Sequence, residues 1–180
     1  LMKLVILDRD GVINQDSANY IKSPNEWIPI PNSLEAISLL NQNGYSVVIA
    51  TNQSGVGRGL YGIEELNNIH AKMIKMLAEL GGSIDAIFFC THTEEDHCDC
   101  RKPEIGMLVE IKDRFSVSFE DICGVGDSLR DLEAFEKVGM QPILVKTGNG
   151  ENTFLEGKYP KQSLVFDDLF EAASKIIEGI

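Results

Sequence analysis

The chain has 180 residues, a hydrophobic content of 43% and a charged content of 24%, which is typical of a globular protein rather than a disordered or membrane-embedded one. Its formal net charge of -12 argues against a general nucleic-acid surface, because phosphate backbones are bound by clustered lysines and arginines. The length predicts one domain over residues 1–180. The aliphatic run near the start is too short for a signal peptide or a membrane span, so we expect a cytoplasmic protein, with a monomer as the working expectation.

Short apolar runs alternate with helix-period segments along the whole chain. The predicted strands are 3–8, 45–51, 84–89, 121–127, 142–146 and 163–166. Asn32 and Glu35 have capping-box spacing and predict the start of the first helix. The later predicted helices cover about 63–80, 104–115 and 129–138, and the last one begins at about 168. This order predicts a Rossmann-like α/β fold, a parallel sheet with helices on both faces. Segments 11–31 and 148–162 carry no pattern and are predicted to be loops.

Acidic residues follow two of the predicted strands, where ligands of parallel sheets collect. "LDRDGV" places Asp8 and Asp10 after the first strand, and strand alternation predicts both carboxylates on one side with Arg9 on the other. "GVGDSLRD" places Asp127 after a later strand and Asp131 four residues on, although an Asp at such a place is often a helix N-cap. Carboxylate oxygens at two strand ends are the ligands that Mg2+ prefers.

Two further segments offer contacts to an anion. "ATNQSGVGRG" places Thr51 at the end of the second strand, followed by amide side chains and glycines whose backbone N–H groups can approach an anion. "CRKP" adds Arg101 and Lys102, which can balance a phosphate or can simply be a solvated surface pair. Each pattern alone also fits an ordinary turn.

Soft metal ligands are concentrated within eleven positions, in the order C-x-H-x5-C-x-C: Cys90, His92, Cys98 and Cys100. Such a set suits tetrahedral Zn2+, and four protein ligands leave no open position, so the predicted zinc is structural. His97 is the alternative histidine ligand. Disulfides are disfavoured by the expected reducing location, and Cys123, inside a predicted strand, is expected to be a buried apolar residue.

The ordered set "DRDGV", "TNQ", "RKP" and "GDSLRD", spread over residues 8–131, resembles the four motifs of the haloacid-dehalogenase-like phosphatases. The resemblance implies that Asp8 is a nucleophile that forms an aspartyl-phosphate and that Asp10 is the general acid and base. Thr51 and Lys102 would hold the transferred phosphoryl group. The implied Mg2+ ligands are Asp8, the backbone carbonyl of Asp10 and Asp127, supported by Asp131.

Residues 90–100, the segment with the four predicted zinc ligands, limit the resemblance to the histidinol-phosphate and heptose-bisphosphate phosphatase branch, which lacks a large cap domain. "DRDGVINQD", "TNQSGVGRG" and "CDCRKP" are most similar to the heptose-bisphosphate members. The implied substrate is therefore the 7-phosphate of a heptose 1,7-bisphosphate, a small phosphorylated sugar of lipopolysaccharide or nucleotide-heptose synthesis, with histidinol phosphate as the alternative. The implied substrate contacts are Asp16, Ser17, Ala18, Asn19, Tyr20, Thr51, Asn52, Gln53, Ser54, Arg101 and Lys102.

One position departs from that pattern, and two other classes compete with it. Ser128 stands where many heptose members carry Lys, so Arg101, or Arg130 if it can reach, has to supply more of the positive charge. A receiver-type signalling domain also has carboxylates, Thr and Lys at strand ends, but without an Asp two residues after the phosphate acceptor. A zinc-dependent interaction module is disfavoured because the cysteine cluster lies within a complete α/β pattern.

Overall fold

The computed structural model describes residues 2–180, and within them it contains one parallel sheet in the order β3-β2-β1-β4-β5-β6. The strands are β1 (Lys3–Leu7), β2 (Tyr45–Asn52), β3 (Ala86–Cys90), β4 (Cys123–Gly126), β5 (Gln141–Val145) and β6 (Leu164–Phe166). The predicted parallel α/β fold is confirmed, and every predicted strand is present within about two residues at each end.

Helices connect the strands and cover both faces of the sheet: α1 (Ser33–Gln42), α2 (Ser54–Gly57), α3 (Ile63–Glu79), α4 (Gly106–Phe115), α5 (Leu129–Val138), α6 (Gly150–Glu156) and α7 (Leu169–Glu178). Short 3-10 turns cover Pro24–Glu26, Glu94–Asp96 and Phe119–Asp121. The prediction of a loop over 148–162 was wrong at α6, which buries only Gly150 and Thr153 and so carries no apolar period. Of the helices in residues 2–180, none has the length and apolar character needed to cross a membrane.

The start of α1 differs from the prediction of a capping box. Asn32 occupies the N-cap position but has a left-handed backbone, with φ of 67°, and its side chain makes no capping hydrogen bond. Side-chain capping generally requires an extended backbone at that position. Ser33 anchors the helix instead, because its hydroxyl donates to the carbonyl of Ile13 at 2.6 Å.

Alternate side chains of the central strands enter two separate apolar clusters, one on each face of the sheet. Val5 and Leu7 of β1 pack in the cluster that contains residues of α1, α3 and α7. Leu4 and Ile6 pack in the cluster that contains residues of α4 and α5. Cys123, predicted to be buried and apolar, is half-buried against the first cluster. The central strands are thus clamped from both sides, which fixes the positions of their carboxyl ends.

Two connections lie above those ends, a long one and a shorter one. Residues 8–32 connect β1 to α1, and residues 53–62, including α2, connect β2 to α3. Throughout the part of the chain that the structure describes, neither connection forms a separate cap domain, as predicted.

Candidate active site

Asp8 lies at the end of the central strand β1, in the middle of the sheet. Its backbone N–H donates to the carbonyl of Val125 in β4 at 3.0 Å, and its Oδ1 accepts a hydrogen bond from Nζ of Lys102 at 3.2 Å. Lys102 is 1% exposed, and its Nζ also donates to the carbonyl of Ala50 at 2.7 Å and lies 2.8 Å from Oδ1 of Asp131. A buried lysine therefore joins two carboxylates at the sheet edge.

Asp127 follows the end of β4, and its carboxylate lies close to those of Asp8 and Asp131. Oxygens of Asp8, Asp127 and Asp131 all lie within 4.8 Å of one another. The alternative role of Asp127 as a helix N-cap is wrong, because Ser128 is the N-cap of α5 and forms a capping box with Asp131. The Asp127 carboxylate instead accepts from the backbone N–H of Asn149 at 2.9 Å. Its side chain is thus held toward the other carboxylates.

Gly11 allows the chain to turn beneath this cluster. Its φ of +82° lies in the left-handed region that favours glycine, and a Cβ at this position would overlap the Asp127 carboxylate. A side chain at position 11 would therefore displace one of the candidate metal ligands.

The carboxylates carry more negative charge than Lys102 compensates. Burial and the Asp131 carboxylate raise the pKa of Asp8 to about 7 despite the opposing effect of Lys102. Burial and the Asp8 carboxylate raise the pKa of Asp127 well above its usual value. The pKa of Lys102 is raised, because its two carboxylate partners outweigh the effect of burial. Buried carboxylates that repel each other in this way form a site for a cation, and an all-oxygen ligand set fits Mg2+.

Both carboxylate oxygens of Asp10 accept hydrogen bonds, Oδ1 from a cationic and a neutral donor and Oδ2 from a neutral one. Oδ1 accepts from Nη2 of Arg9 at 2.7 Å and from Nδ2 of Asn14 at 3.0 Å, and Oδ2 accepts from Nε2 of Gln53 at 3.0 Å. Burial acts to raise the pKa of Asp10, but Arg9 and the hydrogen bonds outweigh it, so that the pKa is lowered.

The prediction that Arg9 faces away from the carboxylates was wrong. Strand β1 ends at Leu7, so the alternation of side chains does not extend to position 9. The N–H groups of Val12, Ile13 and Asn14 all point to the Arg9 carbonyl, at 3.2, 2.8 and 3.3 Å, and this tight turn brings the buried guanidinium back to Asp10. The only indication of this contact in the sequence was the position of Arg9 between two aspartates at a strand end.

Two cavities that share walls open at this edge of the sheet. The smaller, of about 200 Å³, is lined by Asp8, Asp10 and Asp127 together with eight of the predicted substrate contacts, namely Asp16, Ser17, Tyr20, Asn52, Gln53, Ser54, Arg101 and Lys102. The wider, of about 780 Å³, is lined by Ala18 and shares Arg101, Lys102, Ser128 and Arg130 with the smaller. The sequence left open whether Arg130 reaches the site, and its place on both cavity walls shows that it does. The geometry describes a small reaction chamber beside a wider space for the rest of a substrate.

Not every predicted contact reaches a cavity wall. Asn19 is absent from the lining of both cavities, and Thr51 is fully buried behind Gln53, whose Nε2 donates to the Thr51 hydroxyl at 2.9 Å. Arg58, which follows the glycines of "GVGRG", lines the smaller cavity and was not predicted. A single arginine in a Gly-rich turn was its only sequence signal.

The cysteine cluster forms beside the site. The donor atoms of Cys90, His92, Cys98 and Cys100 lie within 4.8 Å of one another, and the four cysteines are free thiols. Sγ of Cys98 is 3.7 Å from that of Cys90 and 3.6 Å from that of Cys100, close to the spacing of thiolates around one tetrahedral ion with bonds of about 2.3 Å. Sγ of Cys90 and Sγ of Cys100 are only 2.7 Å apart, so these two side chains would have to separate to bind the same ion. His92 faces the sulfurs with Nδ1. Among residues 2–180, His97 lies outside the cluster.

This cluster is connected to the active-site lysine through the backbone. The N–H of Arg101 donates to Sγ of Cys98 at 3.4 Å. The peptide of Lys102 is then held by Asn52, which accepts from its N–H and donates to its carbonyl, both at 3.0 Å. Ligand cluster and strand end together fix where the side chains of Arg101 and Lys102 begin.

A parallel sheet with an Asp-x-Asp pair after its first strand, a buried lysine across from it and further carboxylates on a neighbouring strand define the haloacid-dehalogenase-like phosphatases. A family model described as polynucleotide kinase 3 phosphatase matches residues 3–132, and one described as HAD-hydrolase-like matches residues 99–172.

Relatives of known name narrow this class. The D-glycero-beta-D-manno-heptose-1,7-bisphosphate 7-phosphatases of Bordetella bronchiseptica and Pseudomonas putida are each 50% identical, over 98% of this chain and 99% and 100% of theirs. The B. bronchiseptica crystal structure, complexed with magnesium and phosphate, has a TM-score of 0.97 and 50% identity and covers 99% of this chain and 100% of that one. The Burkholderia thailandensis enzyme has a TM-score of 0.79 at 46% identity, over 97% of this chain and 98% of its own.

The chain therefore belongs to the heptose-1,7-bisphosphate 7-phosphatase family of haloacid-dehalogenase-like hydrolases, which are phosphoric monoester hydrolases.

Proposed function

We propose that this enzyme removes the 7-phosphate of D-glycero-D-manno-heptose 1,7-bisphosphate, within lipopolysaccharide or nucleotide-heptose synthesis. The observation that carries the proposal is the convergence of Asp8, Asp127 and Lys102 at one point of the sheet edge. The 50% identity with phosphatases named for this substrate supports the choice of sugar.

In the first step, a carboxylate oxygen of Asp8 attacks phosphorus and the bond from phosphorus to the sugar oxygen breaks, while Asp10 gives its proton to that oxygen. In the second step, Asp10 takes a proton from water, the water oxygen attacks phosphorus, and the bond to Asp8 breaks to release inorganic phosphate. Asp10 must therefore carry a proton when substrate binds. The phosphate dianion favours this, since a nearby like charge raises the pKa of a carboxyl group.

Lys102 balances charge on the transferred group from its buried position between Asp8 and Asp131. The residues that would hold Mg2+ are Asp8, the backbone carbonyl of Asp10 and Asp127. When bound, Mg2+ lowers the repulsion between the phosphate dianion and the attacking carboxylate. Asp131 supports these residues by accepting from the N–H groups of Asp127 and Ser128, each at 3.2 Å.

The cations on the shared cavity walls favour a second anionic group on the substrate. Arg101 and Arg130 line both cavities, beside acidic residues of the wider one such as Glu94 and Glu133, so these two arginines are the groups that would contact the unreacted 1-phosphate. Histidinol phosphate would instead place its ammonium group there. Turnover of both compounds with Mg2+ tests the choice, and a preference for histidinol phosphate would contradict it while leaving the chemistry unchanged.

Zn2+ bound by Cys90, His92, Cys98 and Cys100 is the second proposed metal. Burial acts to raise the pKa of the Cys98 thiol, but the N–H groups of Arg101 and Cys100 lower it to about 6, which supports the thiolate form that a metal needs. Free thiols in this arrangement also support the proposal that the protein works in the reducing cytoplasm. We propose further that residues 1–180 act as one domain, since both apolar clusters share the single sheet. A monomer is the proposed oligomeric state.

A further inference from the structure

A series of buried contacts leads from Asp10 away from the cavity into the protein. The Arg9 side chain is fully buried, and its Nη2 donates to Oδ1 of Asp10 at 2.7 Å. Its Nε lies 3.2 Å from Oδ1 of Asn14. The other terminal nitrogen, Nη1, lies 3.0 Å from Nε2 of His70, a residue of α3 that is 5% exposed. A helix on one face of the sheet therefore contacts the guanidinium that holds Asp10.

The chemistry of this contact determines the state of His70. A guanidinium has only donors and stays protonated in proteins, so Nε2 of His70 must accept the hydrogen bond. The ring proton then lies on Nδ1 and the imidazole is neutral. An imidazolium would direct one N–H at another and place a second cation in the same buried space. In agreement, burial and Arg9 both lower the pKa of His70, to about 4.

Arg9 has little freedom between its partners. Its fork is occupied by Asp10 on one side and by His70 on the other, and Asn14 contacts its Nε. Without the His70 acceptor, a buried N–H donor would lose its partner, and the guanidinium would have to move to find another. Any such movement would weaken the Arg9 contact at 2.7 Å, which is the shortest that Oδ1 of Asp10 makes, and leave Asp10 held by Asn14 and Gln53 alone.

We propose that His70 is a positioning residue for the phosphatase reaction. As a neutral acceptor it fixes the Arg9 guanidinium, and Arg9 in turn holds the Asp10 carboxyl group in the orientation from which it exchanges a proton with the leaving oxygen. The proton that moves is the one on Asp10, while His70 and Arg9 keep theirs. This inference rests on the proposed role of Asp10 as general acid and base.

Leaving-group dependence separates this role from a merely structural one. A sugar phosphate needs its leaving oxygen protonated, whereas the phenolate of p-nitrophenyl phosphate leaves without help. For the sugar phosphate, His70→Leu should lower kcat about tenfold with KM within about twofold, because orientation of the acid and not binding is lost. For p-nitrophenyl phosphate, the rate of the first step, measured as a burst of p-nitrophenolate, should change less than about twofold, whereas the second step needs Asp10 with either substrate.

Two further variants serve as controls. His70→Gln supplies an amide oxygen in place of Nε2 and should restore most of the lost kcat. Met73→Ala creates a cavity in the same helix, at a fully buried position, and should lower the melting temperature without separating the two substrates. Equal loss on both substrates, the same separation in Met73→Ala, or no recovery in His70→Gln would overturn the role of His70.

Asp10→Asn distinguishes failure of this inference from failure of the proposed mechanism. If Asp10→Asn turns over the sugar phosphate normally, the proposed role of Asp10 falls. If Asp10→Asn is inactive and His70→Leu is fully active, only the role of His70 falls. Should His70→Leu not fold, nitrogen-15 NMR of the wild-type protein at pH 7 still decides: the neutral Nδ1–H tautomer is expected, and the Nε2–H tautomer or an imidazolium would overturn the inference.

Discussion

Lys102 is closer to Asp131 than to Asp8, with Nζ 2.8 Å from Oδ1 of Asp131 and 3.2 Å from Oδ1 of Asp8. Within residues 2–180 no protein donor contacts Oδ2 of Asp8. Asp131 therefore anchors the lysine together with the Ala50 carbonyl at 2.7 Å, and the second oxygen of Asp8 stays available to attack phosphorus.

Asp131→Asn should destabilise the protein strongly. Burial acts to raise the pKa of Asp131, but Lys102 and Arg130 outweigh it and lower the pKa, so the folded protein favours the ionised form, and removal of one partner of this buried ion pair should cost about 3 kcal/mol. Urea unfolding would measure this. Asp113→Asn, an exposed change on α4, is the control and should be within about 0.5 kcal/mol of the wild type. Equal midpoints for the two variants would show that the anchoring role is wrong.

Asp8→Asn should abolish turnover and yet stabilise the metal-free protein. The raised pKa of Asp8, about 7, means that its ionised form is disfavoured by burial and by neighbouring carboxylates. Removing that charge should raise the free energy of unfolding by up to roughly 4 kcal/mol in EDTA at pH 7.5. Mg2+ should then raise the melting temperature of the wild type more than that of the variant. A lower melting temperature of the variant in EDTA would contradict the crowding of charge at this site.

Stability should decrease in mild acid because of His70. Its pKa is lowered to about 4 in the folded protein, from a usual value of 6.5. Between these values the unfolded chain binds a proton that the folded protein does not, so the free energy of unfolding falls as the pH falls, by up to roughly 3 kcal/mol. Above pH 6.5 this contribution is constant. The free energy of unfolding, measured with urea between pH 7.5 and 4.5, should depend on pH more steeply in the wild type than in His70→Gln, by a slope equivalent to about one proton. Parallel pH dependences would contradict the lowered pKa of His70.

Removal of the zinc ligands should weaken phosphate binding at a distance. The double change Cys98→Ser and Cys100→Ser leaves the segment before Arg101 without its ligand cluster, so the position of Arg101 and Lys102 becomes less defined. We expect a lower melting temperature and at least about a tenfold loss of kcat/KM, with zinc content measured by metal analysis. Cys123→Ala, outside the cluster, should retain zinc and activity. Normal stability and turnover of the double variant would disprove a role for zinc in this loop.

Arg130 should select for the distal phosphate. Arg130→Ala is expected to raise KM for heptose 1,7-bisphosphate about tenfold, since one charge-assisted contact is worth about 1.5 to 3 kcal/mol, while KM for p-nitrophenyl phosphate, which has no second phosphate, should rise less. Adding Ser128→Lys to Arg130→Ala should restore part of the affinity from the same wall. Lys137→Ala, on the same helix outside both cavities, is the control. Equal KM values for Arg130→Ala and wild type would remove Arg130 from the substrate site.

The sequence predicted what depends on local periodicity and missed what depends on distant contacts. The six strands carry continuous apolar runs, so their ends, and with them Asp8 and Asp127, could be located in advance. Helix α6 could not, because its buried residues are a glycine and a threonine. The contact between Arg9 and His70 joins residues 61 positions apart, and no short-range pattern encodes it. Thr51 was expected at the cavity because it ends a strand, but the longer Gln53 side chain covers it.

The edge position of β3 explains why a metal cluster belongs where it does. In the order β3-β2-β1-β4-β5-β6 the strand that leads to Lys102 has a neighbour on one side only, so backbone pairing supports that segment half as well as it supports Asp8. The proposed zinc ion and its four ligands would take the place of the missing strand. A descendant of this enzyme that lost its cysteines would therefore have to extend its sheet, or cover this edge with another segment, before it could again hold the lysine still.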